Sequence, residues 1–405
     1  MASGQAPHPL RLSERRVLAA LRGEPALSRS ALVEVTGLPR ATVLATVTGL
    51  LRRGVLAERD DDTGSGPRAV GRPASVLSVV YPAAPVAVVS FAHSSTTVAL
   101  CSYAGTVLAR RSVPVARGDD LAEVLPAVRA ELADLGAASG VGDQVSAGVV
   151  AVPLPFRRGH GVARIRPVTA SMLATFPNLH PLPDWLLTDP SARFSEVFGV
   201  PVVAENDANL AALGEAVSGA GNGYHGVVYV AAKDGIGAGL VLDGRLYRGA
   251  GGIAGELGHI SVRDDGQLCV CGNRGCLVTV YRNGPQLIDE IQTAYGQAIT
   301  FEDMQSLAEH GDVGVRRILA DLGRTVGRPL ADLGVVLNPD VIVIDGSLGA
   351  AADPVVAGVR EMIDRHAPPM ISEAVQVVAG RLGGDAQLVG AAALARECHL
   401  DGLLG

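Results

Sequence analysis

The stretch GELGHISVRDDGQLCVCGNRGC occupies residues 255–276 and carries three of the five cysteines of this 405-residue chain. One histidine precedes them in the spacing H-x9-C-x-C-x4-C, and small turn-forming residues separate the last two cysteines. Three thiolates and one imidazole form a ligand set that tetrahedral Zn2+ accepts in closed structural sites. The pattern predicts a structural zinc ion, because no ligand position is left open for hydrolysis. The predicted ligands are His259, Cys269, Cys271 and Cys276.

Composition places the chain among globular proteins of two or three domains. It is 48% hydrophobic and contains 50 glycines and 24 prolines. No apolar run approaches the roughly 20 residues needed to span a bilayer, and the polar N-terminus does not resemble a signal peptide. Few cysteines, mostly in one cluster, are typical of a reducing compartment. We therefore expect a cytoplasmic protein without a membrane partner.

Charge is divided unevenly along the chain. Residues 1–80 carry 11 Arg against 7 Asp and Glu, a net charge of +4. Residues 81–405 carry 23 basic against 34 acidic side chains, a net charge of −11, and the two sums give the −7 of the whole chain. A basic head on an acidic body indicates attachment to an anionic polymer through the head alone.

The basic head predicts a helix-turn-helix. Apolar spacing predicts helices over residues 13–22, from about Ser28 to Thr36, and over residues 40–53. Ser28 is a suitable N-cap, and Gly37 can adopt the left-handed conformation that ends a helix. Helix, short glycine-containing turn and amphipathic helix form the signature. The alternative is an ordinary helical hairpin with a solvated face.

The third helix and the loop that follows supply the predicted DNA contacts. Short or donor-bearing side chains on the exposed face of this helix would let it lie in a major groove. Residues 60–80 form a polar, glycine-rich loop that returns to an alternating strand, as the wing of a winged helix would. Its basic Gly-Arg-Pro unit would reach a minor groove, although a plain linker is equally compatible. The predicted DNA contacts are Arg40, Thr42, Thr46 and Arg72.

From residue 85 onward, apolar strands alternate with helical stretches, which predicts an α/β body. Three segments accompany the cysteine stretch: VPVVAENDANLAALGE (200–215), DGIGAGLVLDGRLYRGAGGIAGELGHI (234–260) and LNPDVIVIDGSL (337–348). With these segments and its head, the chain resembles the transcriptional-regulator branch of the ROK family of repressors, open reading frames and sugar kinases. The resemblance extends from about residue 13 to residue 397.

The resemblance implies a winged helix-turn-helix followed by a two-lobed, actin-like fold of the sugar kinase type. It implies a DNA-binding domain over residues 1–80. It implies a first lobe over residues 81–200, completed by about 385–405. The second lobe, residues 201–384, would carry the zinc site and a dimerisation surface.

The same resemblance implies a sugar cleft. The family's END motif matches Asn206 and Asp207, which would hold the sugar, and in kinases the aspartate removes the proton from the attacked hydroxyl. Glu256 and His259 match two further sugar-contacting positions, with His259 shared between the sugar and the metal. Asp207 also suits the start of a helix, where carboxylates are favoured.

The sequence departs from the family pattern on the nucleotide side of the cleft and on the sugar side. The kinase phosphate loop Asp-x-Gly-Gly-Thr is replaced by SFAHS at residues 90–94, and Lys233 and Asp234 stand where Gly-Thr is usual. Asp345 replaces the first glycine of a pair near the adenine end, so we expect no kinase activity and regard Asp207 as a vestigial base. Leu154 and Val278 replace a glycine and a sugar-binding glutamate, which weakens the case for an ordinary sugar.

The leading hypothesis is a DNA-binding transcriptional regulator, a repressor, that senses a sugar or sugar derivative. Its partners would be a double-stranded operator and further copies of itself in a homodimer or homotetramer. One alternative is an ATP-dependent sugar kinase with an accessory head. Another is a regulator controlled by a protein partner or by DNA alone, with a vestigial cleft.

Overall fold

The computed structural model describes most of the chain in two compact units. One unit comprises Met1–Ala83 with Ala395–Gly405, and the other comprises Ala84–Leu394. Of the residues 385–405 that were predicted to complete the first lobe, residues 385–394 lie in the larger unit and residues 395–405 group with the N-terminal segment. The described residues are 10–23, 26–60, 75–92, 95–115, 119–142, 144–162, 185, 188–233, 235–282 and 284–404.

In the N-terminal segment of the smaller unit, the described residues form three helices and a three-stranded antiparallel sheet of order β1-β3-β2. Ser28 caps the second helix by accepting from the Ala31 N–H, and Gly37 ends it in the left-handed conformation, with φ of 64°. The third helix buries Val43, Val47 and Leu50 completely. The elements are α1 (Leu12–Gly23), β1 (Leu27–Ser28), α2 (Arg29–Thr36), α3 (Arg40–Arg52), β2 (Leu56–Asp60) and β3 (Ser75–Val79).

The first sheet of the larger unit has the order β6-β5-β4-β7-β10. Its first three strands pair antiparallel, and β7 and β10 then add in parallel. The central strand β4 is buried along its whole length, as expected of a sheet covered on both faces. The elements are β4 (Val86–Phe91), β5 (Thr96–Cys101), β6 (Val107–Val113), α4 (Leu121–Ser139), β7 (Ala147–Val152), β8 (Phe156–Arg157), β9 (Gly161–Val162), α5 (Ser191–Phe198) and β10 (Val202–Asn206).

The second sheet has the order β13-β12-β11-β14-β15 and repeats the pairing of the first: antiparallel, antiparallel, parallel, parallel. The two halves of this unit therefore share one architecture. The elements are α6 (Asp207–Ser218), β11 (Gly226–Ala231), β12 (Gly237–Leu242), β13 (Arg245–Leu246), α7 (Leu277–Val280), α8 (Gly284–Tyr295), α9 (Phe301–Glu309), α10 (Val313–Leu337), β14 (Val341–Ile344), α11 (Ala352–His366), α12 (Pro369–Ser372), β15 (Gln376–Ala379) and α13 (Ala386–Leu404).

The parallel strands determine where a site can form. β7 and β10 end side by side at Val152 and Asn206, and β14 ends at Ile344. In open α/β sheets, ligands bind beyond the carboxyl ends of such strands. Among the described helices, none has the length and apolar character needed to cross a bilayer.

Candidate functional site

A cavity of about 310 Å³ lies beyond these strand ends, within the larger unit. Residues from both sheets line it, together with the turns that follow β7, β10 and β14. Among the predicted ligand contacts, Asn206, Asp207 and Glu256 line this cavity. His259 does not line it in the described part of the chain, although the sequence predicted a contact there.

Asn206 and Asp207 are fixed at the point where β10 becomes α6. The Asn206 side chain caps the helix by accepting from the Asn209 N–H at 3.0 Å, and its amide donates to the Leu154 carbonyl at 3.0 Å. The Asp207 carboxylate accepts from the Ala208 N–H at 2.8 Å. Both side chains are half-buried, and both residues line the cavity.

An ion pair between Glu205 and Arg248 stabilises the turn between β10 and α6. Glu205 is 1% exposed, and its carboxylate accepts from Arg248 Nε at 2.7 Å. The same carboxylate accepts from the Asn206 N–H and from the Asn209 amide, each at 3.0 Å. These hydrogen bonds together hold the turn in one geometry. The ion pair was not predicted, because nothing in the residue spacing connects positions 205 and 248.

Glu256 lines the same cavity and directly precedes the short turn Leu257–His259. Burial, together with the negative charge of Asp207, raises the pKa of the Glu256 carboxyl to about 7. A carboxyl with this pKa can donate as well as accept a hydrogen bond near neutral pH. Asp207 and Glu256 therefore offer a polar ligand both an acceptor and a donor, as hydroxyl groups require.

The remaining wall of the cavity combines polar, charged and aromatic side chains. Ser90 donates to Gln387 Oε1 at 2.5 Å, and Asp345 accepts from the Ser347 and Ala232 N–H groups. The Lys233 ammonium lies 4.5 Å from the centre of the Phe301 ring. Burial and the nearby Asp345 raise the pKa of Tyr229, which also lines this wall. His93, Ser94 and Asp234 lie outside the described residues.

The predicted metal ligands come together in the loop after the short turn Leu257–His259. Their ligand atoms all lie within 4.8 Å of one another. Cys271 Sγ is 3.5 Å from Cys276 Sγ, and Cys269 Sγ is 3.6 Å from His259 Nδ1. Sulfurs bound about 2.3 Å from one tetrahedral ion are about 3.8 Å apart, so the donor set fits such an ion. The cluster of His259, Cys269, Cys271 and Cys276 can hold a metal.

Local backbone geometry explains why this loop closes. Gly275 adopts a φ of +61°, and a Cβ there would lie 1.7 Å from the Arg263 carbonyl oxygen, so only glycine fits. The Cys269 N–H donates to the Asn273 carbonyl at 2.8 Å, which folds the chain back between two ligands. Burial lowers the pKa of His259 and so favours the neutral imidazole that ligates metals.

Helix α3 of the smaller unit has an exposed face, but not all of the residues predicted on that face lie there. Arg40 is exposed and Thr42 is partly exposed. Thr46 was predicted on this face and is instead 8% exposed, with its hydroxyl hydrogen-bonded to Ser13 Oγ at 3.1 Å. The prediction failed because Thr46 lies three residues after Val43, within the i, i+3, i+4, i+7 stripe that packs inward. Arg72 lies outside the described residues.

Two further side chains lie on the outward face of α3 and were not predicted there. Leu44 is 39% exposed, and Thr48 is exposed with its hydroxyl donating to the Leu44 carbonyl. The two residues are one helical turn apart. The helical phase of the buried valines would have been sufficient to place them on this face.

Comparison with known proteins identifies the family. The profile of the ROK family matches residues 161–398, which is more than half of the chain. The chain belongs to the ROK family. The family resemblance stated from the sequence is therefore confirmed.

ROK relatives of two kinds are similar to this chain. The xylose repressor of Bacillus spizizenii is 30% identical over 221 residues, covering 55% of this chain and 57% of the repressor. The chain thus spans little more than half the length of that relative. The crystal structure of a ROK glucokinase from Streptomyces griseus, solved with glucose and AMPPNP, has a TM-score of 0.61 and 26% identity, covering 77% of this chain and 99% of the kinase.

The structure of a ROK transcriptional regulator, described as a homologue of the Escherichia coli Mlc protein, extends the similarity to the head. It covers 97% of this chain and 98% of its own, with a TM-score of 0.74 and 24% identity. At this identity the likeness concerns the fold. It confirms the predicted α/β class, with an N-terminal winged helix-turn-helix and a two-lobed, actin-like ROK fold.

Proposed function

We propose that this ROK protein is a DNA-binding transcriptional repressor that senses a sugar or sugar derivative in its cleft. One observation carries the proposal: a basic helix-turn-helix unit, with Arg40 exposed at the start of α3, shares a chain with an acidic ROK body. The repressors and the regulator structure among its relatives support the same function.

DNA binding would use the N-terminal half of α3. Arg40 and Thr42 would contact base edges in a major groove, and Arg72 would reach a minor groove from the loop after β2. The acidic body, with a net charge of −11 over residues 81–405, would be repelled by DNA and so leave contact to the head. A homodimer or homotetramer would present paired heads to a two-fold operator.

The effector would bind where Asn206, Asp207 and Glu256 line the cavity. An amide, a carboxylate and a carboxyl with a pKa of about 7 are suited to the neutral hydroxyls of a sugar. The relatives include xylose repressors and glucokinases, so pentoses and hexoses are the first candidates. Leu154 and Val278, which replace a glycine and a glutamate in the family pattern, favour a derivative over an ordinary hexose.

We further propose that the cleft does not transfer phosphate. Phosphoryl transfer needs a positioned Mg2+ and close backbone approach to the phosphates. The end of β4 offers Ser90 and Phe91 to the cavity, Ala92 follows them, and Asp345 adds a negative charge to the same wall. Asp207 would then bind the sugar but would not remove a proton from a sugar hydroxyl for phosphoryl transfer.

The metal of the Cys3His cluster would be a structural Zn2+. All four ligands come from the protein, which leaves no position for a reacting water. When bound, the ion would fix the loop over residues 259–276, and with it the turn that carries Glu256.

Two experiments test the proposed function. In a footprinting assay with genomic fragments at moderate salt, the protein should protect discrete palindromic sites; uniform or absent protection would exclude a sequence-specific regulator. A thermal-shift screen of pentoses, hexoses and their amino and acetylated derivatives should find a stabilising ligand that the Asn206→Ala variant no longer binds. ATP-dependent phosphorylation of that ligand, abolished by Asp207→Ala, would instead establish the kinase alternative.

A further inference from the structure

A second cavity of the larger unit, of about 630 Å³, lies between the metal-cluster loop, α8 and α10. We name it the arginine groove. Its volume is within the range of about 300–1,000 Å³ that small-molecule sites occupy. The lining residues that carry charge are Arg263, Arg282, Glu290, Arg317, Asp321, Arg324 and Arg328.

The groove is positively charged on a negatively charged body. Its lining has five arginines and two carboxylates, a net charge of +3. Residues 81–405 together carry −11. Positive charge concentrated in a concave surface attracts anions and raises their local concentration. A general excess of arginine does not explain this enrichment, because the body as a whole is acidic.

Only part of this positive charge is neutralised within the protein. Arg282 pairs with Glu290, Arg324 pairs with Asp321 and Glu361, and Arg328 pairs with Asp332 at 2.7 Å. Across the part of the chain that the structure describes, Arg263 and Arg317 have no carboxylate within 4.0 Å. Both side chains are exposed. They are therefore available to an anion.

The floor of the groove is apolar. Leu287 and Leu322 are 3% and 5% exposed, and Val262, Val280 and Ile318 lie partly buried beside them. Apolar walls exclude water and strengthen charge-assisted hydrogen bonds formed at the rim. A guanidinium presents a planar fork that matches phosphate oxygens in a bidentate arrangement.

We propose that the arginine groove binds a compact phosphate-bearing metabolite, held chiefly by Arg263 and Arg317. A compact anion fits better than a nucleic acid, because Glu290 and Asp321 interrupt the groove and the acidic surface beyond it repels an extended polyanion. This site is distinct from the sugar cleft: the two cavities share no lining residue. The groove adjoins the metal-cluster loop, so an anion there would contact the same loop that carries His259.

The test is a calorimetric titration of the full-length protein with inorganic pyrophosphate at low ionic strength. The double variant Arg263→Ala/Arg317→Ala should bind at least about tenfold more weakly, since two charge-assisted contacts are lost. Arg245→Ala removes an exposed arginine outside the groove and should bind like the wild type. Metal content of the double variant should match the wild type, which shows that the loop remains folded.

Three results would overturn the proposal. The first is no saturable pyrophosphate binding by the wild type. The second is equal weakening in the Arg245→Ala control, which would indicate a diffuse charge effect. The third is unchanged pyrophosphate binding in the double variant, and altered sedimentation of that variant would then make the groove an interface between copies of this chain.

Discussion

Asp207 and Glu256 line one cavity, and burial of Glu256, together with the charge of Asp207, raises the Glu256 pKa from its ordinary 4.5 to about 7. The folded protein therefore keeps a proton at pH values where the unfolded chain has released it. The contribution of Glu256 to the free energy of unfolding is consequently largest below pH 4.5 and falls as pH rises through 7. The full loss is roughly 3 kcal/mol at most.

Glu256→Gln removes this pH dependence, because glutamine stays neutral. The free energy of unfolding of the variant, relative to the wild type, should rise between about pH 5 and about pH 8 in denaturant titrations. Asp207→Asn removes the neighbouring charge and should move the same dependence to lower pH. Parallel curves for wild type and Glu256→Gln would show that Glu256 titrates normally.

The sequence predicted which residues line the cavity near Asp207 better than it predicted the residues that surround and support them. The END motif was expected to bring Asn206 and Asp207 to a ligand, and both residues line the cavity with Glu256. The lining by Tyr229 and Gln387, and the support of Glu205 by Arg248, were not predictable. These contacts depend on how the two sheets pack against each other, and the spacing of residues within one segment gives no information about that packing.

In the metal cluster and in the smaller unit, too, features set by nearby residues were predictable, and a feature set by packing was not. The four ligands lie close together in the sequence and form their own local geometry, so spacing was enough to predict that they meet. The helix boundaries at Ser28 and Gly37 were also predictable, because caps are local. Thr46 was misplaced because its polarity was given more weight than its position in the buried stripe of α3.

Thr46→Ala should affect the stability of the head and leave base recognition unchanged. Loss of the hydrogen bond to Ser13 should cost about 1 kcal/mol in the free energy of unfolding. Thr48→Ala, on the exposed face, should leave stability within about 0.5 kcal/mol of the wild type. Chemical denaturation measures both.

Arg40→Ala and Thr42→Ala should instead weaken operator binding with little change in stability. Loss of a base contact costs about 1–3 kcal/mol in specific binding and much less in non-specific binding. Fluorescence anisotropy with operator and scrambled duplexes compares the two affinities. Equal losses on both duplexes would mean that these residues contact phosphate alone.

Cys271→Ser should release the metal and loosen the loop over residues 259–276. A ligated metal contributes its binding free energy to folding. A loss of about 3 kcal/mol would lower the Tm of a body of this size by roughly 5 °C. Plasma emission spectrometry gives the metal content, and calorimetry gives the Tm. Cys398→Ser is the matched control for metal content, because this thiol lies outside the cluster, and the metal content should stay unchanged.

Glu215 connects α6 to the turn after β15 and should be among the most sensitive positions of the body. Its side chain is fully buried, and its carboxylate accepts from the N–H groups of Ala220, Arg381 and Leu382. Glu215→Ala leaves three donors without an acceptor, at about 1–3 kcal/mol each. We expect the free energy of unfolding to fall by at least about 3 kcal/mol.

Glu215→Gln keeps nearly the same side-chain volume but removes one acceptor oxygen, so it distinguishes lost hydrogen bonds from lost packing. Glutamine keeps one acceptor oxygen but turns an NH2 group toward backbone donors, so it should recover only part of the stability lost in alanine. The exposed Glu361→Ala, which removes a surface ion pair with Arg324, should change the free energy of unfolding by less than about 1 kcal/mol. If Glu215→Ala were as mild as this control, the three backbone hydrogen bonds would contribute nothing to the stability of the body.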